Sequence, residues 1–287
     1  MSTKTSQQAS ASPFIFAGFT GDRSGSMQGI YNESAQGLYE WATELIEGAI
    51  QNNQKGRMFI TCFDNKAEKR LDNVEFRKTK LTLDNCKEWM KPRGSTRLYD
   101  TAIEDLENIV QKAEEFKQNL PRNVRILNPE ISIVWACCTD GFDNSSMNTS
   151  EDLKNKVLWA REKGVKCFFL AANQDAVTTG ESYGFSPDQS LTYTASAENA
   201  PHAFRSISNN MRQASCGKSY AFTQLQRDSS QRTSPNLRQQ ALHNSRQKTL
   251  RQTAKKCQRR LDFTNVPNTT RYPSPIPLRR SQNVVFE

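Results

Sequence analysis

Apolar and polar positions alternate along the chain in blocks of two kinds. Phe14 to Thr20 is a near-continuous apolar run closed by Gly21-Asp22, the pattern of a strand buried on both faces of a parallel sheet. Leu38, Ala42, Leu45, Ile46 and Ala49 then recur at helical spacing and predict a helix over about 32–52. Met58 to Phe63 predicts a second strand, and Leu71 to Phe76 a third after the turn-forming Asp64-Asn65-Lys66. Leu98, Ala102, Leu106, Ile109, Ala113 and Phe116 mark one face of a long helix that Pro121 closes. Ile131 to Cys138 is the most apolar strand and belongs at the centre of the sheet. Ser150 is placed to cap a helix running to Lys163, with Gly164 just past its end. Val165 to Ala171, a short strand at Leu191 to Thr194 and a helix from Ala197 to Arg212 complete the series. Strands alternating with helices predict an α/β fold: a doubly wound, mainly parallel sheet flanked by helices.

The pattern weakens at both ends. Residues 1–12 are rich in Ser, Thr and Gln, and we expect them to be disordered. From Arg212 to Glu287, Leu, Ile, Val and Phe supply only 13 of 76 residues, too few to bury against so much charge. The expected organisation is therefore a folded body over 13–211 and a basic, largely disordered tail over 212–287. Charge follows the same division. The chain carries 39 Lys+Arg and 30 Asp+Glu, a net of +9. The tail holds 15 of the basic and 3 of the acidic residues, so the body is slightly acidic.

Several function classes are disfavoured. No apolar run reaches the roughly 18 residues of a membrane span, and the apolar run after the polar N-terminus is too short for a signal peptide. Seven cysteines without a C-x-x-C pair point to free thiols in a reducing compartment, so the expected location is intracellular, cytoplasmic or nuclear. Two histidines argue against zinc sites and histidine-based catalysis. Gly217-Lys218-Ser219 lacks the earlier glycine of a P-loop, since Arg212 stands there. No nucleophile motif is evident, and we expect a protein that is not an enzyme.

Three loops carry candidate chemistry. Asp22-Arg23-Ser24-Gly25-Ser26 follows the first strand, Gly94-Ser95-Thr96-Arg97 opens the long helix, and Thr139-Asp140-Gly141 follows the central strand. Together they supply carboxylate and hydroxyl oxygens, a set suited to hard cations such as Mg²⁺, Mn²⁺ or Ca²⁺. In open α/β sheets, ligands bind beyond the carboxyl ends of the strands at the switch point. The bland alternative is that Asp22 and the serines cap the first helix and Thr96 caps the long one.

D-x-S-x-S after a first strand, a threonine before Leu-Tyr-Asp, and T-D-G after a central strand together resemble the von Willebrand factor type A domain. The resemblance covers about residues 13–211. It implies a metal-ion-dependent adhesion site with Asp22, Ser24, Ser26, Thr96 and Asp140 at the five ligand positions. In that family the ion usually takes an acidic side chain from a partner protein. The implied function is thus divalent-metal-dependent capture of an acidic residue of an unidentified partner. Arg23 and Arg97 flank the loops and either assist an anionic ligand or are plain surface charges. A regulatory subunit beside an ATPase is an alternative, since some members resembling chelatase subunits act that way. So is nucleic-acid association through the tail. Arg246, Lys248, Arg251, Lys255, Lys256, Arg259 and Arg260 lie in a stretch without acidic residues, able to neutralise phosphates, direct nuclear import or remain simply solvated.

Overall fold

The computed structural model describes residues 13–231. The strands are β1 (Phe14–Asp22), β2 (Lys55–Phe63), β3 (Ala67–Glu75), β4 (Ile131–Thr139), β5 (Lys166–Ala172) and β6 (Ser190–Tyr193). They form one sheet in the order β3-β2-β1-β4-β5-β6, with β3 antiparallel to β2 and every other pair parallel. The helices are α1 (Tyr31–Gln51), α2 (Leu83–Trp89), α3 (Leu98–Gln118), α4 (Arg122–Arg125), α5 (Ser150–Glu162), α6 (Ala176–Ser182), α7 (Asn199–Ser215) and α8 (Gln224–Ser230). The expected doubly wound, mainly parallel sheet flanked by helices is thus what forms. The two most apolar strands, β1 and β4, lie side by side in the middle.

Strand alternation divides the core in two. Ile15, Ala17 and Phe19 of β1 face α1 and α7, together with Val134, Ala136 and Cys138 of β4. Phe16 of β1 and Ile133, Trp135 and Cys137 of β4 face α3 and α5. Burial on both sides is why these strands read as unbroken apolar runs. Cys137 and Cys138 are buried strand residues on opposite faces, and burial raises both thiol pKa values, that of Cys138 to about 12. The helices α1 and α7 approach so closely that a β-carbon on Gly37 would stand 2.2 Å from the Phe204 ring. No described helix is long and apolar enough to cross a membrane.

The folded body does not stop at residue 211. The helix α7 runs on to Ser215, and Phe222 and α8 pack back onto the sheet. Phe222 meets Phe168 edge-on at 6.1 Å between centroids, and Arg227 donates to the Ser190 carbonyl at 2.8 Å. Thr194 N–H donates to the Ser230 carbonyl at 2.9 Å. Low apolar content misplaced the boundary because one buried phenylalanine together with backbone and polar side-chain hydrogen bonds, those of Arg227 and Ser230 among them, anchors this segment. Thr149, not Ser150, caps α5, through a box with Asp152. The expected disordered stretch 1–12 and the basic cluster Arg246 to Arg260 lie outside the described residues.

Candidate metal centre at the β1/β4 switch point

From β1 the chain crosses to β2 on one side, and from β4 it crosses to β5 on the other. The connections therefore diverge between β1 and β4, leaving a crevice at their carboxyl ends. The Asp22 and Thr139-Asp140 loops leave those two strands.

Local hydrogen bonds shape the first loop. Asp22 Oδ1 accepts from Ser24 N–H at 2.7 Å, and Arg23 N–H donates to the Phe63 carbonyl at 2.8 Å. A 3₁₀ turn over Gly25–Ile30 then leads into α1. The second loop is fastened alongside: Arg93 N–H donates to the Arg23 carbonyl at 2.9 Å, and Gly25 N–H to the Gly94 carbonyl at 3.1 Å. Gly94 takes a left-handed φ of +67°, a conformation open chiefly to glycine. The third loop joins through Asn144, whose Oδ1 accepts from Thr96 N–H at 2.8 Å while its N–H donates to the Thr96 carbonyl at 3.0 Å.

Four of the five predicted ligands form one connected oxygen array. Ser26 Oγ donates to Asp140 Oδ1 at 2.7 Å, and the Ser24 and Ser26 hydroxyl oxygens are 2.9 Å apart. Asp22 Oδ2 accepts from Thr139 Oγ1 at 2.6 Å. Thr96 is buried beside this array and tied to it through backbone bonds and Asn144. Capping does not explain the hydroxyls. Ser24 occupies the N-cap position of the 3₁₀ turn without a side-chain cap bond, and α3 is preceded at its N-cap by Arg97, again without one.

The carboxylates sit in an electrostatically incomplete setting. Burial pushes the Asp22 pKa up to about 6, against the hydrogen bonds from Thr139 and Ser24, and burial likewise raises that of Asp140. No Lys or Arg hydrogen-bonds to either one among the described residues. A cation there would supply the missing positive charge, so the oxygen set fits a hard divalent ion. Among the described residues no three His, Cys, Asp or Glu side chains gather into a metal cluster. The candidate centre relies on hydroxyls beside two carboxylates.

Of the two readings open for the arginines, Arg97 fits the surface charge, and Arg23 fits neither. Arg23 is buried, and its Nε and Nη2 pair with Asp64 at 3.0 Å and Glu68 at 2.6 Å. Its Nη1 donates to the Trp89 carbonyl at 3.1 Å. Alternation at the end of β1 sends Arg23 towards α2, away from the side on which Asp22 meets Thr139. Arg97 pairs with Asp100 at 2.9 Å and Glu104 at 3.0 Å along α3. Neither is a free cation beside the oxygen array. Asp143 accepts four hydrogen bonds from Tyr99, Ser145 and Ser146 and orders its loop. Thr139 and Asn144 are the supporting residues the sequence did not single out. Thr139 stood within the T-D-G motif, whereas nothing in the pattern marked Asn144.

No family model and no curated protein matches the chain. Among solved structures, the pilus adhesin SpaC of Lactobacillus rhamnosus GG aligns at 10% identity and TM-score 0.51, over 72% of this chain and 31% of its own. Its likeness, with the observed strand order, decides the fold. The fold is of the von Willebrand factor A type. The vWF domain of the type V pili tip protein Mfa5 from Porphyromonas gingivalis aligns at 10% identity and TM-score 0.48, over 71% of this chain and 96% of its own. Proximal thread matrix protein 1 from the mussel byssus, with a zinc-occupied MIDAS motif, aligns at 14% identity and TM-score 0.43, over 75% of this chain. This chain spans half of the byssus protein and about a third of the adhesin. The von Willebrand factor A-type fold places the Asp22 and Asp140 loops together; what they hold is a separate question.

Proposed function

We propose that the body is a divalent-cation-dependent protein-binding module that captures an acidic side chain of a partner. The observation that carries this reading is the array Asp22–Ser24–Ser26–Asp140 at the β1/β4 switch point, with two carboxylates and, among the described residues, no cationic side chain bonded to them. Asp22, Ser24, Ser26, Thr96 and Asp140 would hold the ion, which supplies a positive charge able to take a carboxylate from outside. Two carboxylates do not over-neutralise a divalent ion, so attraction for a third remains. Thr139 fixes the Asp22 carboxylate, and Asn144 ties the Thr96 loop to the Asp140 loop. On this reading the chain is a binding protein rather than an enzyme, and Mg²⁺ is the first ion to try.

The test is calorimetric titration of the full chain with Mg²⁺, Mn²⁺ and Zn²⁺, beside Asp22→Ala and Ser26→Ala. Saturable binding by the native chain, weakened at least about tenfold in both variants, is expected. Ser26 is exposed, so its loss leaves the core intact and separates site loss from unfolding. Native-like ion binding in both variants would remove the reading.

A further inference from the structure

The loop after Asp140 carries two large apolar side chains held out in solvent. Phe142 is 69% exposed and Met147 is 92% exposed, the latter the highest value among the described large apolar residues. Scattered apolar residues on a surface are ordinary. These two stand in a loop that is otherwise Gly, Asp, Asn, Ser and Thr, and that loop is firmly anchored.

The anchoring places Phe142 beside the oxygen array and holds Met147 at the start of α3. A β-carbon on Gly141 would lie 3.7 Å from Ser26 Oγ, so the loop starts in contact with the array. Two residues past Phe142, Asn144 pairs reciprocally with Thr96. Phe142 is therefore bracketed by two points fixed to candidate ligands. Beyond it, Asp100 Oδ2 accepts from Met147 N–H at 3.0 Å, and Asp100 Oδ1 accepts from Asn148 N–H at 2.8 Å. The backbone is held while the apolar side chains are free. Ordering such a loop in advance lowers the entropic cost of docking a partner on it. Phe and Met are also enriched in interfaces, where charged residues at the core are depleted.

We infer that the partner segment presents a carboxylate with a large apolar side chain within a few residues of it, the apolar group seating on Phe142 and Met147. This rests on the cation-site reading, because the partner's carboxylate brings the apolar residue to the loop. Ile126 and Leu127 are also strongly exposed apolar residues, but they precede β4, at the opposite end of the strands from the array, and supply a control.

The experiment pans a displayed library of random dodecapeptides on the full chain in Mg²⁺, with elution by EDTA. Enriched peptides should carry Asp or Glu with Leu, Ile, Phe or Met within about three positions. The Phe142→Ser/Met147→Ser variant should keep native ion affinity by calorimetry, still select acidic peptides, and lose the apolar preference. It should bind the natively selected peptides about tenfold more weakly, while Ile126→Ser/Leu127→Ser binds them as the native chain does. Acidic peptides without apolar neighbours, or an apolar preference surviving in the Phe142/Met147 variant, would overturn the inference and leave the cation site standing. Peptides without carboxylates, or binding indifferent to EDTA, would overturn both.

Discussion

Asp105 of α3 is a carboxylate that the oxygen array does not use. It is buried under the sheet, where Thr20 Oγ1 donates to it at 2.5 Å and Thr61 Oγ1 at 2.7 Å. Trp135 Nε1 in turn donates to Thr20 Oγ1 at 2.9 Å. Burial pushes the Asp105 pKa up to about 6; the threonine bonds and Lys69 act against the rise, and Glu104 adds to it. An unfolded aspartate loses its proton near pH 4, so between about pH 4 and 6 the folded state binds more protons than the unfolded one. This group therefore stabilises the fold most at low pH, loses that contribution as pH rises through about 6, and changes nothing above. The span is worth about 3 kcal/mol. Thermal unfolding of Asp105→Asn across this range should show a shallower fall in stability with pH than the native chain; equal slopes would refute the assignment. Arg23 gives a second test. It is buried and shares the fully buried Asp64 with Arg93, so Arg23→Ala should cost about 2 kcal/mol, whereas Arg97→Ala, on a part-exposed pair, should cost under about 1 kcal/mol. A change in ion or peptide binding at unchanged stability would instead return Arg23 to the site. The three loops were legible because two break sharply from a strand and one opens a helix; the five candidate positions within them came from the resemblance to the von Willebrand factor A domain. Arg23 was misread because adjacency to Asp22 in sequence is opposition across a strand in space.

At the level of elements, legibility followed length. The strands β1, β4 and β5 and the helices α1, α3, α5 and α7 have enough residues for a period to repeat. The helices α2, α6 and α8 have seven residues each and α4 has four, too few for two full apolar turns. Their signals were the caps: Thr82 and Asn85 form a capping box on α2, Asp175 caps α6, and Thr223 and Gln226 box α8. Such motifs become readable once a tertiary surface awaits the helix. The helix α8 is the case with a consequence. Phe222 N–H donates to the Asp188 carbonyl at 2.8 Å, and the Phe222 ring closes the α7 face of the core at Phe168. Phe222→Ala should cost about 3 kcal/mol in denaturant unfolding. A chain ending at 211 should melt well below one ending at 231. Equal melting would restore the shorter boundary.

The whole molecule joins a slightly acidic body to a strongly basic tail, and the two charges predict different dependences on solution conditions. Capture of a carboxylate through an ion should vanish with EDTA and respond modestly to monovalent salt, because the contact is short and partly desolvated. Binding of nucleic acid by Arg246, Lys248, Arg251, Lys255, Lys256, Arg259 and Arg260 should ignore EDTA and fall steeply with salt, since each neutralised phosphate releases counterion. If all seven cations engage a duplex, the slope of log K against log salt should be about −6. Fluorescence anisotropy with a labelled duplex, read from low to physiological salt, supplies that slope. Replacing the seven residues with Gln should abolish duplex binding and leave Mg²⁺-dependent peptide capture intact; Asp22→Ala should do the reverse. A flat salt dependence would exclude the phosphate role and leave import or simple solvation for the tail. Loss of both activities in either variant would mean that body and tail act on one partner, with the ion and the basic run reading two parts of the same acidic surface.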